Sequence, residues 1–414
     1  MTNGQVVIVG AGPSGCYLAQ ALLKACPELQ VDLIDRLPVP YGLVRYGVAA
    51  DHQGTKGVTR QFARIFERQG ARFFGNVEIG KCVTLDDLRS AYDAVVLAAG
   101  LSKDRKLGIP GDRIPGIFGA GNVTRALYDH PDAENLPSLG SRPLIIGNGN
   151  VAIDLLRLLA KSTEEMEGSD LGQAATDWLA TSGIEEITIT GRSPAARAKF
   201  DVVMIKELAK LAGVTIRVVG AGTSDDPDEQ KKIDAVEALD GLSTGPRRIT
   251  FRFGMTPAAV DGETWVKAVT FKTTEGIESI ACTSVLTAIG FDPAGDLPRA
   301  ELIAAASDAE AGALAPGLYA TGWFRRGPRG TIPENRTDAQ ALAARILKDL
   351  NAADANANKL GPTIFQNLPD LTDYSGWSRI DAAETADPPP GRCRVKIATR
   401  EAMLTLASEK ETKP

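Results

Sequence analysis

Gln5-Val6-Val7-Ile8-Val9-Gly10-Ala11-Gly12-Pro13-Ser14-Gly15 is the stretch that decides the fold. Its first half is a short apolar run of the kind that forms a buried strand, and Ala19, Leu22, Leu23 and Cys26 follow at helical spacing. The pattern is strand, glycine turn, helix. Gly10 permits the tight turn, Gly12 lets the backbone approach a pyrophosphate, and Gly15 lets helix and strand pack closely. Pro13 and Ser14 open the helix, whose terminal amides and positive dipole end face the phosphates. The next strand, Val31-Asp32-Leu33-Ile34-Asp35, ends in a carboxylate about 20 residues further on, where it would accept hydrogen bonds from ribose hydroxyls. Asp35 disfavours a 2′-phosphate, so this first site suits FAD or NAD.

The pattern recurs. Pro143-Leu144-Ile145-Ile146 leads into Gly147-Asn148-Gly149-Asn150-Val151-Ala152 and a helix with Val151, Leu155, Leu158 and Leu159 on one face. A polar insertion over 162–170 and a short helix near Trp178 precede a strand from Ile184 to Thr190, which ends at Gly191-Arg192. An arginine there holds a 2′-phosphate through charge-assisted bonds, so this second cradle suits NADP. The runs Val95–Gly100 and Val285–Gly290 each read as a late strand leaving a nucleotide domain. They put boundaries near 105 and 295. The expected fold is α/β with two Rossmann-like dinucleotide-binding domains: residues 1–104 with 295–414, and an inserted 105–294.

A chain of 414 residues has room for two such domains, and 43% hydrophobic with 24% charged residues is a globular balance. The apolar start, Val6 to Val9, is too short for a signal sequence or a spanning helix, so the expectation is a cytoplasmic protein without membrane insertion. A net charge of −6 argues against nucleic-acid binding. Cys16, Cys26, Cys82, Cys282 and Cys393 form no CxxC pair, which leaves neither a redox dithiol nor half a zinc site, and no metal is expected.

Towards the C-terminus, Gly317-Leu318-Tyr319-Ala320-Thr321-Gly322-Trp323 reads as strand and turn, and 325–336 as a glycine-rich basic loop. A helix is expected from about Thr337-Asp338, carrying Leu342, Ile346, Leu347 and Leu350 on one face. If this segment returns to the first domain, the amides of Gly330, Thr331 and Ile332 would stabilise negative charge on a reduced flavin, and Trp323 would flank the ring.

In this light the chain resembles the adrenodoxin reductase class of ferredoxin–NADP reductases, which has bacterial members. The resemblance runs over nearly the whole chain and is carried by 40–52 (PYGLVRYGVAADH), 74–77 (FGNV), 147–154 (GNGNVAID), 322–330 (GWFRRGPRG) with Asp338-Ala339-Gln340, 377–381 (WSRID) and 391–396 (GRCRVK). It implies FAD in the first site, contacted by the glycine turn with Pro13 and Ser14, by Asp35 and Leu43, by residues from Ile79 to Val83, and by Trp323, Gly330, Thr331 and Ile332. It implies NADP(H) in the second, with Asn148, Gly149, Asn150 and Val151 at the pyrophosphate, Arg192-Ser193 deciding nicotinamide choice, and Gly330 near the nicotinamide. A histidine and a glutamate that the class places beside the reacting rings match His52 and Glu207.

Three positions depart from the class. Ser193 stands where a second arginine is usual, with Arg197 and Lys199 as candidates to compensate; Met204 replaces a glutamate; Ala50 replaces a proline. The implied activity passes electrons from NADPH through FAD to a ferredoxin-type iron–sulfur protein, a transient and acidic partner. Arg325, Arg326, Arg329 and Arg336, or Arg392, Arg394 and Lys396, would supply a basic docking surface. The competing readings are a flavin NAD(P)H oxidoreductase or monooxygenase with another acceptor, and an electron-transfer subunit of a larger complex.

Overall fold

In the computed structural model, which describes residues 4–242, 244–295, 297–352 and 359–409, strand Gln5–Val9 sends Val6 and Ile8 into one core cluster and Val7 and Val9 into another. Alternate residues point to opposite faces, so a strand apolar at every position belongs inside a sheet covered on both sides. By contacts the chain divides into two compact units. One takes in the chain up to Lys103, Asp129–Asp132 and the chain from Phe291 onward; the other is Asp104–Tyr128 with Ala133–Gly290.

In the first unit a six-stranded sheet runs Ala313–Ala315, Leu318–Ala320, Ala94–Leu97, Gln5–Val9, Gln30–Asp35, Arg72–Gly75. All neighbours are parallel except the first pair. Val9 lies opposite Ile34 on one side and Leu97 on the other. The strand order therefore switches direction at Gln5–Val9, and the crevice beyond its carboxyl end, where Gly10 stands, is the place such sheets bind ligands. One face is covered by helix Pro13–Ala25, through Cys16, Leu18 and Leu22, and by helix Ile332–Ala352, through Leu342 and Ile346. The other is filled by Leu88, Tyr92, Phe324 and Phe365. Each fully buried aliphatic side chain stabilises the unit by roughly 1.5–3 kcal/mol.

The return of the C-terminal segment to this unit is direct, since Leu318–Ala320 pairs with Ala94–Leu97. Its helix differs from expectation. Rather than starting near Thr337-Asp338, it begins at Ile332, with Pro333 in the first turn, where a fixed φ and a missing N–H cost nothing. Asp338 is no cap of its own helix. Its carboxylate accepts from the Gly322 amide and the Thr321 hydroxyl, both at 2.9 Å, and so holds the start of the short helix Gly322–Arg326. The basic loop shrinks to 327–331.

The second unit repeats the plan. Its parallel sheet runs Ile117–Gly119, Ser284–Thr287, Pro143–Ile146, Glu186–Gly191, Arg247–Phe253, Val214–Val219, with the switch at Pro143–Ile146. Helix Asn150–Ala160 buries Leu155, Leu156, Leu158 and Leu159, and Trp178 sits in helix Gln173–Thr181. A three-stranded antiparallel meander, Thr256–Gly262, Val266–Thr273 and Gly276–Ala281, was not anticipated; it buries Val260, Val269 and Phe271 against Leu144 and Val285. Among the described residues no helix is long and apolar enough to cross a membrane.

Candidate functional site

Gly10 has a φ of +110°, and a Cβ there would lie 2.5 Å from the Ala98 carbonyl oxygen. A Cβ on Gly15 would meet the Gly10 carbonyl oxygen at 2.0 Å. The first and third glycines thus serve the fold itself. Gly12 differs: a Cβ there has no neighbour nearer than the Gly42 Cα at 3.9 Å, and no side chain caps the helix that starts at Pro13. An open cradle beside uncapped helix amides fits a pyrophosphate, and the residues present therefore fit a dinucleotide such as FAD.

Asp35 is partly committed. Its Oδ2 accepts from the Ala11 amide at 2.9 Å and its Oδ1 from the Leu37 amide at 3.0 Å, which ties the glycine turn to the end of the second strand. Burial pushes its carboxyl above the ordinary range, opposed by those two amides. A carboxylate has about four acceptor positions, which leaves two for ribose hydroxyls. Ser14 donates to Asn335 Oδ1 at 3.1 Å and lies against Gly322, so the first helix and the return segment meet at this cradle. Leu43, exposed, opens helix Leu43–Tyr46, while Ile79 bridges to buried Val83.

Trp323 stacks on Phe291 with centroids 6.0 Å apart, and its Nε1 donates to the Gly330 carbonyl at 3.4 Å. Of the Gly330, Thr331 and Ile332 amides, that of Thr331 donates to the Glu334 carboxylate. A carboxylate three residues on that reaches back to a helix-start amide is half of a capping box, a competitor that the glycine-rich look of the segment conceals.

The second cradle is built likewise. Gly147 has a φ of +126°, and a Cβ there would lie 2.2 Å from the Ala288 carbonyl oxygen, whereas around Gly149 nothing comes nearer than Lys199 Cβ at 3.9 Å. Gly149 caps helix Asn150–Ala160 without a side-chain bond, which leaves the first-turn amides of Asn150 and Val151 to an anion. The Asn148 side chain lies over Gly191, and Asn150 Oδ1 accepts from the Asp201 amide at 2.8 Å. Arg192 is exposed, and its guanidinium has no hydrogen bond or ion pair among the described residues. The neighbouring Ser193 carbonyl accepts from Gly254 at 3.3 Å. Arg197 pairs with Glu229 at 3.6 Å.

His52 and Glu207 fall in different units. His52 is half-buried and stands just before helix Gln53–Lys56, its amide bonded to the Ala49 carbonyl at 3.0 Å. Glu207, on helix Val202–Leu208, lies 3.8 Å from the buried Arg157 guanidinium, which also holds Asp154 at 3.1 Å.

One buried cluster escaped the sequence. The Arg45 guanidinium sits over the rings of Tyr46 and Trp377, at 5.0 and 5.2 Å, and forms a two-pronged pair with Glu384, one prong at 2.9 Å. Glu384 also accepts from Arg394 at 3.0 Å and from the Ile397 amide at 2.9 Å, and Arg394 reaches Asp381 at 2.7 Å. Burial pushes the Glu384 carboxyl up, but Arg45 outweighs it and holds it below the ordinary carboxylate range. The segments 40–52, 377–381 and 391–396 are thereby one structural unit, and only their shared occurrence in the resembled class hinted at it. Arg394 and buried Lys396 leave the basic docking set, as do Arg325, paired with Asp338, and Arg326, bonded to Asn335 at 2.8 Å. Arg329 and Arg336 stay exposed.

Residues 4–241 match the pyridine nucleotide-disulphide oxidoreductase family. Cindoxin reductase of Citrobacter braakii is 43% identical over 97% of this chain and 91% of its own length. The NADPH-ferredoxin reductase FprA of Mycobacterium tuberculosis is 32% identical over 97% of this chain and 98% of its own. The structure of that FprA in complex with NADPH superposes with a TM-score of 0.91 at 31% identity, covering 98% of this chain and all of that one. With two open cradles, an acid at the end of one second strand and an arginine at the end of the other, the chain belongs to the pyridine nucleotide-disulphide oxidoreductase family and, within it, to the ferredoxin reductases of the adrenodoxin reductase type.

Proposed function

We propose that this chain is an FAD-dependent NADPH:ferredoxin oxidoreductase. Bound FAD would supply the redox chemistry that links a two-electron nicotinamide donor to a one-electron acceptor. The protein's own part is binding and orientation. The Gly12 cradle and Pro13–Ala25 amides hold one pyrophosphate, and Asp35 accepts from the ribose. The Gly149 cradle holds the other, with Arg192 on the 2′-phosphate. His52 and Glu207 are assigned to the reacting end of the nicotinamide, where His52 would hold or take up a proton and Glu207, steadied by Arg157, would orient the ring. The observation that carries the reading is the contrast of Asp35 with Arg192 at equivalent strand ends, which assigns different dinucleotides to the two cradles.

The acceptor is read as an acidic iron–sulfur protein that docks transiently in the cytoplasm, steered by exposed Arg329 and Arg336. With no CxxC in the chain, the dithiol chemistry in the family's name has no residues here. The test is to purify the chain, record its visible spectrum, and titrate it anaerobically with NADPH in the presence and absence of a ferredoxin. Flavin bleaching followed by ferredoxin reduction is expected. A colourless protein that takes up no flavin, or a flavoprotein that NADPH does not bleach, would end the proposal.

A further inference from the structure

We propose that Lys199 is a ligand of the NADP pyrophosphate and supplies the charge that the Gly149 cradle lacks. The inference rests on the NADPH reading above and names one more residue of that same site. In a Rossmann cradle the pyrophosphate lies beside the second glycine at the helix start, and the 2′-phosphate lies at the end of the following strand. Place therefore separates the two roles. Arg192 directly follows the strand, whereas Lys199 Cβ is 3.9 Å from where a Cβ on Gly149 would stand and is the nearest atom to that open position from outside the turn itself.

The backbone around Lys199 is fixed. Ala198 and Phe200 are buried, the Ala198 carbonyl accepts from Lys232 at 3.0 Å, and the Asp201 amide donates to Asn150 Oδ1 at 2.8 Å, so this segment is tied to the first residue of the phosphate-binding helix. The Lys199 side chain itself is exposed, and among the described residues no carboxylate pairs with it; Arg197, two residues earlier, is taken up by Glu229 at 3.6 Å. A helix terminus offers about half a positive charge to a group that carries two negative ones. A flexible ammonium rooted beside the cradle supplies a full charge there, as lysine does for phosphates elsewhere, while the planar guanidinium of Arg192 suits a terminal phosphate.

The test titrates the oxidised holoenzyme with NADP⁺ and with 2′-AMP by calorimetry, and measures kcat/KM with NADH. Lys199→Met keeps the apolar stem and removes the charge. It is expected to weaken NADP⁺ and to lower kcat/KM for NADH by the same factor, about tenfold, with 2′-AMP binding unchanged and Lys199→Arg recovering most of the loss. Unaltered NADP⁺ binding would overturn the inference. A loss shared by NADP⁺ and 2′-AMP but absent with NADH would overturn it too, because it would move Lys199 to the 2′-phosphate. A wild-type protein that binds neither dinucleotide refutes the NADPH reading itself, which is a separate outcome.

Discussion

Asp35 and Arg192 stand at the ends of equivalent strands with opposite charges, and the proposed function gives these two side chains the choice of nucleotide in each cradle. Arg192→Ala removes a charge-assisted bond worth about 1.5–3 kcal/mol, so kcat/KM for NADPH should fall roughly ten- to a hundredfold while that for NADH stays within about twofold. Equal losses with the two cofactors in steady-state assays would remove Arg192 from the 2′-phosphate. Glu384 makes a second test. Its folded carboxyl titrates below its ordinary value, so its stabilisation is complete above the usual carboxylate range and is lost as pH falls through the folded value. Glu384→Gln, which leaves buried Arg45 without its counter-charge, should cost about 3–5 kcal/mol at neutral pH in denaturant unfolding and distinctly less in strong acid. A cost independent of pH would show that packing, rather than the ion pair, is lost.

At the level of elements, the two glycine turns separate folding from binding. Gly15→Ala drives a Cβ into the Gly10 carbonyl, so it should lower the melting temperature sharply, whereas Gly12→Ala, with nothing nearer than 3.9 Å, should leave the apoprotein as stable as wild type but strip it of flavin. Flavin absorbance and thermal unfolding, measured together on both variants, check the contrast; flavin retained by Gly12→Ala at wild-type level would mean that the pyrophosphate lies elsewhere. Strand, turn and helix were readable here because periodicity and glycine spacing are local. The helix Ile332–Ala352 was misplaced at its start for the opposite reason. Asp338 looks like a cap in sequence, yet its carboxylate serves Thr321 and Gly322, earlier in the chain. The antiparallel meander of the second unit stayed hidden because its strands bury few residues, Val260 alone in the first, Val266, Val269 and Phe271 in the second and none in the third, which leaves no regular apolar alternation to read.

For the whole molecule, docking of the acidic acceptor proposed above would depend on a few local cations of a negatively charged chain, and the structure leaves Arg329 and Arg336 exposed while pairing Arg325 and Arg394 internally. Raising ionic strength should therefore slow ferredoxin reduction several-fold while reduction of a neutral quinone by NADPH changes little. Salt-independent turnover with ferredoxin would exclude charge steering. The sequence by itself determined the two glycine cradles and the opposite charges, Asp35 and Arg192, on which the proposed dinucleotide assignment rests, because a glycine turn and the charge at the next strand end lie within about 50 residues of chain. Only tertiary structure decided which arginines stay exposed, and that Arg45 is held by Glu384. Such pairings depend on which side chains a folded backbone brings within hydrogen-bond reach, and no local pattern encodes a contact between residues hundreds of positions apart.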